Sequence, residues 1–132
     1  MEGLSVDWVL LVDDDEIHNF IHHKVLKKYL AEETIQIAYN GAQAILLLDS
    51  KVQEGLHHKR GLIFLDINMP VMNGFQFISE FNLKYAELFP NTRILPLSSS
   101  DHMDDVIQMN SLGVEGYLIK PLTYEIAGEL LK

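Results

Sequence analysis

Cysteine is absent from the 132 residues, which excludes disulfides, thiolate zinc sites and cysteine nucleophiles. Positive charge is scarce: ten Lys and Arg stand against nineteen Asp and Glu, a formal net charge of −9. So acidic a chain is a poor non-specific ligand for DNA or anionic membrane and a better one for cations and basic partners. No direct nucleic-acid binding and no membrane association are therefore expected. No apolar run approaches the roughly 18 residues of a membrane span. Met1–Asp7 carries two acids and no base, the reverse of a secretory leader. Without cysteine the chain has no need of an oxidising compartment, and a cytoplasmic address is expected. Repeats, low-complexity tracts and linker-like stretches are also missing. What is present, 48% hydrophobic and 22% charged residues, suits a folded globular chain. The length predicts a single domain over 1–132, with its core between about 8 and 131.

The apolar residues alternate between two patterns. Short runs (Trp8–Val12, Ile35–Tyr39, Leu62–Leu65, Ile94–Leu97 and Tyr117–Ile119) are too brief for helices. Leu62-Ile63-Phe64-Leu65 lacks polar alternation, as expected of strands buried on both faces of a parallel sheet. Between them lie stretches with helical spacing. Ile17, Phe20, Ile21, Val25 and Tyr29 form one stripe, with His18, His22 and Lys27 elsewhere on the wheel. Ala42–Val52 forms a second helix. Phe77, Ile78, Phe81 and Tyr85 mark a third, Val106, Met109 and Leu112 a fourth closed by Gly113, and Thr123 caps a fifth. Five strands alternating with five helices predict a doubly wound α/β fold with its ligand site at the strand carboxyl ends. Pro96 inside the fourth run is the discordant residue, because proline cannot donate to a ladder. It predicts either a local gap in pairing or a strand that starts later.

Chemistry gathers where the runs stop. The first ends in Asp13-Asp14-Asp15, the third in Asp66, the fourth in Ser98-Ser99-Ser100 and the fifth in Lys120-Pro121. A parallel sheet brings these to one edge. Several carboxylates cannot all stay ionised there without a counter-charge. A hard cation such as Mg²⁺, held by one or two carboxylates and a phosphate oxygen, answers that need. Lys120 and Ser98 suit the remaining phosphate oxygens.

Val12-Asp13-Asp14, Leu65-Asp66-Ile67-Asn68-Met69-Pro70-Val71-Met72-Asn73-Gly74 and Gly116-Tyr117-Leu118-Ile119-Lys120-Pro121 together resemble the receiver domain of two-component response regulators. The resemblance covers about Trp8 to Leu131. It implies a flavodoxin-like sheet of strand order 2-1-3-4-5. It makes Asp66 the phosphoacceptor, with Asp14, Asp66 and the backbone carbonyl of Asn68 as direct Mg²⁺ ligands and Asp13 reaching the metal through water. Lys120 is implied as the lysine that pairs with the acceptor and then with the phosphoryl group. Ser98 is implied as the hydroxyl that turns toward it, and Tyr117 as the aromatic switch residue. The Lys120–Pro121 bond is implied to be cis. The partners implied are a sensor histidine kinase or histidine phosphotransfer protein, plus a downstream target read through the face of the fourth helix, fifth strand and fifth helix. The chain is implied to be a monomer or weak dimer. It is implied to be a phosphoacceptor taking part in its own Mg²⁺-dependent phosphorylation and dephosphorylation rather than an enzyme.

Blander and rival readings have definite content. Asp15 and Glu16 open the first helix as cap and first-turn acid. Gly74 supplies a backbone conformation open to glycine, and Asn73-Gly74 is turn chemistry. His18 and His22 stand at i, i+4, a spacing that could ligate a transition metal, but a solvated helix face is the expectation. His57-His58 is expected on a surface loop within the basic connection Lys51–Gly61. A Mg²⁺-dependent aspartyl-phosphate phosphatase of the haloacid dehalogenase type also uses a strand-terminal Asp, with a second Asp two residues later. Asn68 stands at that position and cannot act as the acid. A degenerate receiver serving only as a binding module would have lost an acid or the lysine, and Asp13, Asp14, Asp66 and Lys120 are all present. No effector segment follows the fifth helix, which fits either a stand-alone receiver or a piece of a larger regulator or hybrid kinase.

Overall fold

The computed structural model describes residues 6–69, 72–98, 107–108, 110–114 and 116–131. Five strands, β1 (Trp8–Val12), β2 (Ile35–Ala38), β3 (Gly61–Asp66), β4 (Thr92–Ser98) and β5 (Leu118–Ile119), form one sheet in the order β2-β1-β3-β4-β5. Every neighbouring pair is parallel. This is the strand order that the resemblance implies. Four helices are formed among the described residues: α1 (Glu16–Leu26), α2 (Gly41–Gln53), α3 (Gly74–Lys84) and α4 (Tyr124–Leu131). Helical turns at 107–108 and 110–111 lie where the fourth helix is expected. Gly113 follows them at φ +83°, as a helix-ending glycine does. Val106 and Met109 fall outside the described residues.

The sheet is buried on both faces because successive strand residues point to opposite sides. Trp8, Leu10, Val12, Ile63 and Leu65 face α2 and α3, packing with Ala44, Leu48, Phe77, Ile78 and Phe81. Val9, Leu11, Leu62 and Phe64 face α1 and α4, packing with Val25, Leu26 and Ala127. Each fully buried side chain of this size contributes about 1.5–3 kcal/mol. That is why β1 and β3 read as unbroken apolar runs.

Pro96 does not delay β4. The strand begins at Thr92, earlier than the apolar run suggests, and Pro96 pairs in register with Leu65. On its other side, among the described residues, β5 pairs only with Leu97 and Ser98, so no described strand residue pairs with Pro96 there. β5 is correspondingly short: Tyr117 precedes it and is half-buried.

At the amino end of the sheet, Lys51 in the last turn of α2 is buried, not part of a solvated loop. Its ammonium lies 4.5 Å from the centroid of the Trp8 ring and donates to Gln36 Oε1 at 2.7 Å. Burial pulls its pKa down. The connection beyond it is a surface turn: the His57 and His58 rings lie 3.9 Å apart at a 43° tilt, and His58 is exposed.

Candidate functional site

The carboxyl ends of β1, β3 and β5 meet at one edge. Asp13 and Asp14 leave β1, Asp66 ends β3, and Lys120 follows β5. Carboxylate oxygens of Asp13, Asp14 and Asp66 lie within 4.8 Å of one another. Asp13 and Asp66 are buried, whereas Asp14 is exposed at the mouth. Lys120 Nζ donates to Asp13 Oδ2 at 2.6 Å and stands 3.4 Å from Asp66 Oδ1. Burial, then the neighbouring Asp13 charge, pushes the Asp66 pKa up to about 6, against the opposing pull of Lys120.

Local backbone bonds fix these acids. Asp13 Oδ1 accepts from the Asp15 N–H at 2.9 Å, and the Asp13 carbonyl accepts from Asn19 Nδ2 at 2.8 Å. Asp15 caps α1, as expected, by accepting from Ile17 and His18 N–H at 2.8 and 3.1 Å. Those bonds hold its own pKa down, the His18 N–H foremost. Asn68 N–H donates to Asp66 Oδ1 at 3.2 Å and so ties the loop after β3 back onto the acceptor. Asn73 caps α3 in a reciprocal box with Gln76.

Gly74 is needed for closeness rather than for an unusual backbone angle. A Cβ there would stand 2.5 Å from the Cα of Ile67 and 2.9 Å from the Asp66 carbonyl oxygen. The N-terminus of α3 is thus pressed directly on the strand that carries Asp66.

The sequence-derived set converges in part. Asp13, Asp14, Asp66 and Lys120 share one pocket, and Asn68 borders it. The Lys120–Pro121 bond is cis. Ser98 ends β4, but its side chain lies outside the described residues, as do Ser99, Ser100, Pro70 and Val71. Tyr117 flanks the start of β5 rather than lying within it.

Helix α1 departs from its sequence reading. Ile17 and Phe20 are exposed, at 69% and 68%, and Ile21 is exposed too, while Asn19, His22, Val25 and Leu26 are buried. His22 is therefore not on a solvated face. Its Nε2 accepts from the Leu122 N–H at 3.2 Å. Burial, followed by the nearby Lys120 charge, drives its pKa down to about 4. His18 reaches the site, with Nδ1 at 3.2 Å from Lys120 Nζ and 3.6 Å from Asp13 Oδ2. Periodicity could not reveal this, because it depends on which face of α1 docks.

Three carboxylates around a lysine form an all-oxygen donor set suited to a hard divalent cation rather than to a soft metal. Such a cation would neutralise charge that a single ammonium leaves unbalanced.

A family model described as the response regulator receiver domain matches residues 9–129. The chain is 33% identical over 127 residues to the nitrate/nitrite response regulator protein NarL of Escherichia coli, covering 94% of this chain and 51% of that protein. It is 32% identical over 115 residues to the autoinducer 1 sensor kinase/phosphatase LuxN of Vibrio campbellii, covering 87% of this chain and 12% of that one. The chain thus spans about half or less of these relatives. A crystal structure of a two component response regulator from Cytophaga hutchinsonii superimposes with a TM-score of 0.81 at 31% identity, covering 95% of this chain and 93% of that one.

Proposed function

The chain belongs to the response regulator receiver family, and from that premise we propose that it is a phosphorylation switch whose acceptor is Asp66. The observation that carries the reading is a single one: a buried carboxylate at a strand end, 3.4 Å from a lysine ammonium and grouped with two further carboxylates. Phosphoryl transfer asks for positioning and charge neutralisation more than for covalent help. An ionised carboxylate is itself a competent nucleophile.

In this reading a histidine kinase or a phosphotransfer protein presents a phosphorylated imidazole at the pocket. An Asp66 oxygen forms a bond to phosphorus, the P–N bond breaks, and the imidazole leaves and takes up a proton from solvent. Lys120 holds a phosphoryl oxygen. Asp13, Asp14, Asp66 and the Asn68 carbonyl would hold Mg²⁺, which when bound offsets charge on the transferring group. Ser98 would supply a hydroxyl to the phosphoryl group, and Tyr117 would follow it to alter the face near β5 and α4. The exposed Ile17, Phe20 and Ile21 support a protein donor. Ile21 lines a groove with His18, His22, Lys120 and Pro121, and exposed apolar side chains grouped on one helix mark association sites. The chain is then a phosphoacceptor taking part in its own turnover, working in the cytoplasm as a monomer or weak dimer. Among the described residues no helix is long and apolar enough to cross a membrane.

The test is intact-mass measurement after treatment with acetyl phosphate and Mg²⁺. One phosphoryl group is expected on the wild type and none on Asp66→Asn or without Mg²⁺. Full labelling of Asp66→Asn would move the acceptor elsewhere, with Asp13 the first place to look.

A further inference from the structure

The Lys120 ammonium has three N–H bonds and, among the described residues, three acceptors around it. Asp13 Oδ2 lies at 2.6 Å, His18 Nδ1 at 3.2 Å and Asp66 Oδ1 at 3.4 Å. The two carboxylates belong to the acidic site. His18 arrives from the first turn of α1, where the Asp15 cap fixes its N–H. An ammonium can only donate, so a Lys120–His18 hydrogen bond requires the lone pair on Nδ1 and the ring proton on Nε2; Nδ1 also stands 3.6 Å from Asp13 Oδ2 and 3.8 Å from Asp15 Oδ2. The Lys120 side chain is 9% exposed and that of His18 41%. The lysine is thus the more buried of the two.

We infer that His18 is a positioning residue that holds Lys120 toward the Asp13 side of the pocket and competes with the phosphoryl group for the lysine. The inference rests on Asp66 as the acceptor. A charged N–H···O⁻ bond is best at about 2.7–2.9 Å. The Asp13 bond is at least that short, while the Asp66 contact is long. With one N–H facing each of the three acceptors, a single donor is left for Asp66. When Asp66 carries a phosphoryl group, its oxygens offer Lys120 more than one anionic acceptor, and a second bond to them means giving up His18. A side chain without a lone pair at this position removes that competition. Lys120 then engages the phosphoryl group more fully, and the aspartyl phosphate lasts longer.

The experiment compares His18→Leu, which fills space but accepts nothing, with His18→Asn, whose Oδ1 stands close to where Nδ1 was. The full chain with Mg²⁺ is titrated with beryllofluoride by NMR. The half-life of the phosphoryl group is followed by mass after acetyl phosphate is removed. His18→Leu is expected to raise the beryllofluoride affinity and the half-life by about tenfold or more, the effect of one hydrogen bond to a charged group. His18→Asn should stay near wild type, and Mg²⁺ affinity should be unchanged in both. In the metal-free protein, long-range ¹H–¹⁵N spectra should show His18 as the Nε2–H tautomer, a preference lost in Lys120→Met. Equal half-lives in all three proteins, a shorter one in His18→Leu, or an Nδ1–H tautomer would overturn the inference while leaving Asp66 as acceptor. A wild type that takes no phosphoryl group at Asp66 would instead remove the functional reading, and this inference with it.

Discussion

Two buried lysines sit at opposite ends of the same sheet. Lys120, at the carboxyl edge, is surrounded by anions: Asp13 at 2.6 Å and Asp66 at 3.4 Å, with Asp14 in the same cluster. Lys51, at the amino edge, is bonded to an amide oxygen and lies against the Trp8 ring. Around Lys120 the negative charge exceeds the positive, so the site is stabilised by whatever cation or charge redistribution it receives. Around Lys51 the ammonium meets an amide dipole and a π face, with the Glu54 charge as its anionic neighbour. The fold tolerates a buried charge in either setting, but only the first stores unbalanced charge that a ligand can relieve.

The comparison breaks first on phosphorylation kinetics. Lys120→Met should slow labelling by acetyl phosphate on the order of 10²-fold, the usual scale for losing a charge-stabilising donor. Lys51→Met should label at the wild-type rate, and a slow Lys51→Met would show that the two ends are coupled.

The next largest effect is acid sensitivity at the functional edge. Because the folded-state pKa of His22 is depressed to about 4, the neutral ring favours the fold. That stability is fully present above the unfolded value near 6.5 and is lost as pH falls toward about 4, on the order of 3 kcal/mol. Urea unfolding of an Asp66→Asn background, with and without His22→Asn, isolates this from the opposing Asp66 titration. The loss should vanish in the His22 variant.

Asp66 provides the third effect. Its raised pKa means that the ionised form is penalised in the fold: no penalty below about pH 4, full penalty above about pH 6. In metal-free solution Asp66→Asn should therefore stabilise the protein at neutral pH by about 1–2 kcal/mol, and the gain should fade as pH is lowered toward 4. Added Mg²⁺ should raise the wild-type midpoint and leave Asp66→Asn nearly unmoved. A destabilised Asp66→Asn would mean that the acids are not repelling one another. Smallest is the loss at the quiet end: Lys51→Met should lower stability by about 1 kcal/mol, read as a shift in the urea midpoint.

The strand-terminal acids and Lys120 were legible in the sequence because each directly follows an apolar run, and a parallel sheet leaves those ends only one edge to share. The order of the strands was not legible from periodicity and came through the resemblance. Helix α1 was misread because hydrophobic spacing takes Ile17, Phe20 and Ile21 as the inner stripe. The buried face actually holds Asn19 and His22, each bonded to a backbone group at a distance in the chain: the Asp13 carbonyl and the Leu122 N–H. Polar burial of that kind leaves no periodic trace. Lys51 was missed for the same reason, since its partners Gln36 and Trp8 lie on other strands. Gly74 was legible as important but not for the right cause, because a close approach to Ile67 cannot be seen without the helix in place.

The position of Trp8 has a spectroscopic consequence. It is the only tryptophan in the chain, buried at the first residue of β1, whereas the acids follow the last. At about 3.3 Å per strand residue the indole is some 17 Å from Asp13, beneath the Lys51 ammonium. Its emission should report the integrity of the whole sheet and stay silent to Mg²⁺ or phosphoryl binding. That makes it a clean optical gauge of unfolding in every ligand titration of this protein, and an unsuitable one for the binding itself.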